Sequence, residues 1–403
     1  MVSTEFAHTG WPRQEASTLG AVGVAHFCSH LLQLALAPLF LFMREDLNVS
    51  FFALGLVLST FYLCSGVGQV ISGILVDRFG AHRLLLCGLL LQGAATAAMG
   101  LAPHYALLLP LAALAGLGNS VYHPADLSIL SHRIAPARLG RAFAAHVIAG
   151  SMGFALSPIV SGAIGLAYGW RAALLAMGLA VVAIGFGLVA WRGALKVAPA
   201  APHGGPAAPA PGFLAVLAMP VVLMAFLYFV LTSISLSGIQ SFAIVALQEG
   251  FAASVALATL AVALYQVGNS AGVALGGYVA DRTARHHLVA MGGLAVACAL
   301  GLLAAMLVVP PQVTVALVAL TGASMGITTP SRDLLVRAAA PAGATGKVFG
   351  VVYSGYDIGS LLGPLLFGLL LDHHLPRLVF VGAAVPLGLA VATAFAVRRR
   401  PAG

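Results

Sequence analysis

The chain has 403 residues, of which 61% are apolar and only 7% charged, and its mean hydropathy is +1.02. A soluble globular domain carries about a quarter charged residues, so this composition excludes one and points to a polytopic membrane protein. The formal charge of +8 is scattered along the chain, which excludes a nucleic-acid partner and makes the lipid bilayer the expected one.

Runs of about 20 apolar residues, each long enough for a hydrocarbon core about 30 Å thick, recur from end to end. They predict spans at 19–43, 51–75, 84–101, 106–131, 141–166, 171–190, 213–240, 251–276, 288–308, 312–337, 348–371 and 377–396. The N-terminal stretch carries Glu5, Arg13 and Glu15 and lacks a short apolar core with a cleavage-like end, so the first span is expected to stay in the protein. Cys28, Cys64, Cys87 and Cys298 all fall within spans and read as packing residues, not disulfides or metal ligands.

With the N-terminus inside, 15 basic residues fall in cytoplasmic segments and three, Arg44, Arg171 and Arg377, at outer edges. This positive-inside asymmetry fits an even number of crossings, with both termini cytoplasmic and the protein in a bacterial inner membrane. The segment 191–212, rich in Ala, Pro and Gly, reads as a cytoplasmic linker between an N-terminal six-helix half (1–190) and a C-terminal half (213–403). The two sides echo one another. Gly73, Asp77 and Arg78 return as Gly277, Asp281 and Arg282, 204 residues later, while Pro124 and Pro330, Arg141 and Lys347, and Pro158 and Pro364 are each 206 apart. Constant offsets of this kind predict parallel repeats related by an axis along the membrane normal.

The run Gly73-Ile74-Leu75-Val76-Asp77-Arg78-Phe79-Gly80-Ala81-His82-Arg83 resembles the loop signature between helices 2 and 3 of the major facilitator superfamily, with His82 where a basic residue is usual. That resemblance implies an all-α fold of twelve transmembrane helices in two pseudo-symmetric halves. It also implies gating by the charges at the inner helix ends, here Asp77, Arg78, Arg83, Arg141, Asp281 and Arg282, which pair in one state of the bundle and separate in the other. Gly118-Asn119-Ser120-Val121-Tyr122-His123-Pro124-Ala125-Asp126, followed by Arg138 to Phe143, resembles the fosmidomycin-resistance efflux branch, with the acidic residue two positions after the proline. The branch implies export of a small organic compound.

The residues support their own reading. Pro124 removes a backbone donor and permits a kink or polar pocket at membrane depth. His123 and Asp126 are three apart on one helix face and can share a proton; the alternative is an interhelical polar clamp. His26 and His30 are four apart on one face of the first span, and Tyr353 and Asp357 on one face of the eleventh. Histidine titrates near neutral pH and desolvation moves a carboxyl toward the same range, so both types can load and release protons. His26, His123, Asp126, Asp333 and Asp357 are the expected proton-coupling residues; His146 reads as ordinary packing with a hydrogen bond, the alternative being a part in the same coupling. Arg332 is the expected anchor for an anionic group, with Asp333 turned toward Arg337; the alternative is a permanent ion pair with Asp333 or Asp357. His30, Gln33, Asn119, Tyr122, Tyr353 and Tyr356 complete the expected substrate site. Glycines at 150, 153 and 162, and at 355, 359, 363 and 368, predict close helix approach.

The phosphate-binding loop of nucleotide hydrolases has no counterpart in the sequence, so neither an enzyme nor a cofactor is expected. A metal site built from His26, His30, His123 and Asp126 lacks a dense ligand cluster and is not expected. The reading is a monomeric proton-coupled secondary transporter of a small, anionic organic compound. Uptake of a small carboxylate is the alternative, and metal transport or sensing a lesser one.

Overall fold

The structure is a computed structural model that describes residues 11–196, 215–216, 218–306, 310–339 and 345–397. Among these residues it is all helix, joined by short turns. In chain order α1 is Arg13–Gln33, α2 Phe40–Leu47, α3 Phe51–Phe79, α4 Ala81–Gly100, α5 Tyr105–Asn119, α6 Tyr122–Arg133 and α7 Pro136–Ala190. After the linker come α8 Pro220–Ser237, α9 Ala243–Phe251, α10 Val255–Ala280, α11 His286–Met306, α12 Pro311–Ala339, α13 Thr345–Asp372 and α14 Pro376–Val397. Eleven continuous stretches among the described residues are long and apolar enough to cross a membrane.

One of the eleven makes two crossings. α7 has 55 residues, about 80 Å if straight, nearly twice a whole bilayer. It is broken at Gly169, whose φ of 85° and ψ of 162° suit glycine alone. Near its start, Arg138 donates to Glu15 through Nε (2.7 Å) and Nη2 (2.6 Å). Just past its end, the Ala194 carbonyl accepts from Thr18 Oγ1 at 2.7 Å. Both ends therefore meet the first turns of α1. Its middle meets the end of α2, where Asp46 accepts from Trp170 Nε1 at 3.1 Å and from Arg171. The helix must double back, so this one stretch takes in two of the spans read from the sequence, 141–166 and 171–190.

Three boundaries differ from the sequence reading. The first span runs from Arg13 to Leu47 with a break ahead of the 3₁₀ turn Ala37–Leu39, which contains Pro38. The fourth is broken between α5 and α6 at Ser120 and Val121, where Pro124 leaves the carbonyl four residues back without its donor. The seventh runs Pro220–Phe251, not 213–240, through a π-helical turn at Gly238–Phe242. The polar Gly238, Gln240 and Ser241 made this stretch look like a span end, yet all three are buried. The expected linker also starts differently: Arg192–Ala194 forms a 3₁₀ turn packed back on α1, while 197–212 lie outside the described residues.

The bonds joining the first six crossings to the last six gather at one end, here called the far end. Asp372, at the end of α13, accepts from the Phe51 and Phe52 amides at the start of α3, at 2.7 and 2.8 Å. Arg44 donates to Glu249 at 3.3 Å, and the Phe40 and Phe242 rings sit 5.4 Å apart. Deeper, Ser59 Oγ donates to the Leu361 carbonyl at 2.7 Å. α3 and α13 touch through small residues, with Gly55 against the Pro364 carbonyl and Gly368 against the Phe51 backbone. The opposite, basic end carries exposed Arg78, Arg83, Arg141 and Arg282.

Candidate functional site

A cavity of about 470 Å³ opens between the two sets of crossings. The break at Ser120 and Val121 turns Tyr122 and His123 toward it from α6, and His30 and Gln33 reach it from α1. Asn119, Arg332, Tyr353, Tyr356 and Asp357 line it too, so the expected substrate residues do converge. His26 and Asp126 do not line it; they lie behind the wall, 3% and 0% exposed.

Behind that wall the side chains form a chain of contacts. His30 Nδ1 and Gln33 Oε1 are 3.0 Å apart, His30 Nε2 and His26 Nε2 3.2 Å, and His26 Nδ1 and Asp126 Oδ2 3.2 Å. His146 Nε2 meets the same Asp126 oxygen at 3.0 Å. The expected His123–Asp126 partnership is therefore replaced. His123 is exposed to the cavity, while Asp126 points the other way, to His146 and His26. His146 was underrated because sequence spacing within α6 cannot show what α7 brings across. Gly150 allows the approach: a Cβ there would come within 2.6 Å of His30 Cδ2 and 2.7 Å of His26 Cδ2.

His26, Asp126 and His146 offer three donor atoms within 4.8 Å of one another, a spacing that raises the question of a metal ion. The two imidazoles are stacked, however, with centroids 3.6 Å apart and planes 26° from parallel. His26 Nδ1 and His146 Nε2 both meet Asp126 Oδ2, at 3.2 and 3.0 Å, so the carboxylate oxygen itself occupies the point on which the two rings converge.

On the opposite wall, Arg332 is nearly buried, with its guanidinium 4.4 Å from the Phe229 ring centre and 6.0 Å from that of Tyr356. Its Nε donates to Asp333 Oδ1 at 2.9 Å, and Tyr353 OH donates to the same oxygen at 3.0 Å. Asp333 thus pairs with its neighbour and not with Arg337, because the long Arg332 side chain folds back where adjacent Cβ directions alone would separate them. Aromatic faces and one carboxylate hold the guanidinium at the cavity edge, an arrangement suited to a carboxylate or phosphonate.

Among the described residues, the expected gating charges stand apart. Arg78 lies over its neighbour Phe79, Arg282 over the Tyr278 ring at 3.4 Å, and Arg141 over Trp11 at 5.6 Å. Arg83 and Asp281 are exposed, and the Asp77 side chain lies outside the described residues. Sequence reasoning missed Tyr62, Gln69, Tyr228, Gln266 and Asn269, which also line the cavity. Their signal was available: amides recur in helices that are otherwise apolar. Asn119 is committed at both ends, accepting from Ser65 Oγ at 2.9 Å and donating to Ser29 Oγ at 2.8 Å, which makes it a strut between α1, α3 and α5.

Comparison with known proteins decides the family. The family model for the Major Facilitator Superfamily matches residues 22–243 and again 231–403. The chain belongs to the major facilitator superfamily. It is 27% identical over 291 residues to the fosmidomycin resistance protein of Escherichia coli K12, which covers 70% of each chain. It is 26% identical over 145 residues to the probable L-galactonate transporter of the same organism, 36% of this chain and 32% of that one. Among solved structures, a bacterial homolog of the human lysosomal transporter Spinster, in an inward-facing and occupied conformation, superposes with a TM-score of 0.80. That alignment covers 97% of this chain and 98% of the other at 15% identity, and so speaks to the fold alone.

Proposed function

We propose that this superfamily member is a proton-coupled secondary transporter that exports a small anionic organic compound across a bacterial inner membrane. Its two six-helix repeats, 1–190 and 213–403, rock about the central cavity as a monomer, with both termini in the cytoplasm. One observation carries the reading: a cavity backed on one side by a buried His/Asp cluster and walled on the other by an aromatic-held arginine, shut at the far end. Buried ionisable groups at membrane depth are costly and are kept for coupling or binding. The positive-inside asymmetry supports a cytoplasmic basic end, which makes the state described here the one open for loading from inside. In it, Arg78, Arg141 and Arg282 lie over aromatic rings and Asp281 is exposed, which suits inner-loop charges released from the pairs of the opposite, outward-open state.

The similarity to a fosmidomycin resistance protein supports a phosphonate-like cargo for Arg332. The similarity to a probable L-galactonate transporter supports the alternative, uptake of a carboxylate by the same residues. Reconstituted vesicles separate the two. With fosmidomycin and a panel of phosphonates and carboxylates as probes, antiport requires internal acidification to drive uptake into the vesicles, and symport requires external acidification. Transport that ignores the pH gradient refutes proton coupling altogether.

A further inference from the structure

The coupling reaction has a route as well as a place. Resting on the proton-coupled reading above, we infer that Asp126, His26 and His146 form a one-proton binding site that exchanges with the cavity only through the His30–His26 imidazole pair.

Exposure gives the first support. Asp126 is 0% exposed and its His26 and His146 neighbours 3% each, so water in the cavity does not touch the carboxyl. His30 and Gln33 do line the cavity. The unbroken series of contacts from Gln33 through His30 and His26 to Asp126, each 3.0 to 3.2 Å long, is the connection between the two.

Donor direction gives the second. Gln33 Oε1 accepts, so His30 Nδ1 carries the hydrogen and a neutral His30 presents a bare Nε2. His26 Nε2 must then donate to it, which leaves His26 Nδ1 bare and facing Asp126 Oδ2. Consistent with this, His26 Nδ1 is a buried atom without a hydrogen-bond partner, as is Asp126 Oδ1. Two lone pairs cannot face one another at 3.2 Å in a dry site, so one further proton belongs at the shared oxygen. The resting polarity is therefore that of a loaded site.

Release from this state balances. The Asp126 proton passes from Oδ2 to His26 Nδ1, the His26 Nε2 hydrogen passes to His30 Nε2, and the His30 Nδ1 hydrogen leaves to the cavity. Each imidazole ends neutral with its hydrogen on the other nitrogen, and Asp126 ends as a carboxylate held by His146. Reloading reverses every step. His30, assigned to substrate binding by sequence, becomes the gatekeeper of the proton, and His123, exposed to the cavity, lies off the path. The titratable groups around Asp126 are His26, His30 and Cys28 from α1, Tyr122 and His123 from its own helix, and His146 from α7.

Infrared pH-difference spectroscopy on the full-length protein in proteoliposomes tests this without any substrate. The wild type is expected to show the C=O band of one buried carboxylic acid, lost in Asp126→Asn. In His146→Gln the band remains but its titration midpoint moves. In His30→Leu the midpoint stays while band formation after a pH jump slows by about tenfold or more, and in His123→Leu that rate is unchanged. A band that survives Asp126→Asn, a wild-type rate in His30→Leu, or a slowed rate in His123→Leu overturns the proposal. Gradient-driven transport that persists in Asp126→Asn sinks this site and leaves proton coupling standing. A band that behaves as described in a protein whose transport ignores the gradient does the reverse.

Discussion

Removing the Asp372 carboxylate should open the far end. Its two oxygens take the first two amides of α3 at 2.7 and 2.8 Å, across the boundary between the two sets of crossings. These amides lack partners in their own helix and sit at the positive end of its dipole, so the cap is charge-assisted twice. Hydrogen bonds to a charged group contribute roughly 1.5–3 kcal/mol each. Because the carboxylate is only partly buried and water replaces it readily, about 2 kcal/mol in total is the reasonable figure for Asp372→Ala. That corresponds to about a 30-fold shift of the open–closed equilibrium. The Arg44–Glu249 pair is a single contact at 3.3 Å between side chains 35% and 23% exposed, and with solvent screening should contribute about 0.5 kcal/mol. Spin labels on exposed Leu101 and Leu375, one in each set of crossings, would report the separation by double electron–electron resonance. Asp372→Ala should populate a longer distance and Arg44→Ala barely change the distribution. An unchanged distribution in Asp372→Ala, or a larger effect from Arg44→Ala, would refute this ranking.

Other consequences can be measured directly. Arg332→Lys keeps the charge but loses the planar fork and its stacking on Phe229, so binding of a phosphonate probe should weaken by at least about tenfold in equilibrium dialysis. Gly150→Ala places a methyl against both His26 and His30, and should slow proton exchange at Asp126 in the infrared pH-jump assay although no titratable group is changed. Gly169→Ala forces a side chain onto φ of 85° and should cost about 1–3 kcal/mol, seen as a lower unfolding temperature in detergent. It leaves the cavity walls untouched, so binding of the phosphonate probe should be preserved.

The crossings were legible because the bilayer imposes a length on every apolar run. The seventh span was misjudged because a π-helical turn carries its polar residues inward, where hydropathy reads them as an end. Arg332, Tyr353, Tyr356 and Asp357 could be placed at the cavity from residue type and helix register alone. The pairing of Asp126 with His146 could not, since it depends on how α6 and α7 cross and on the missing side chain at Gly150. Asp372 escaped notice for a related reason. A carboxylate at a span end looks like a solvated terminus until the amides it caps, more than 300 positions away in the chain, come into view.

α13 carries both Asp357 in the cavity wall and Asp372 at the far end, 15 residues and about 22 Å apart on one continuous helix. The same rod thus holds the cargo's surroundings and the cap on α3. If cargo bound near Tyr356 pulls that rod, it strains the cap, and whatever loosens the cap alters the grip on cargo by the same factor. α13 works as a lever loaded at its middle and at its far end, so conditions at the far end are felt in the affinity of the cavity.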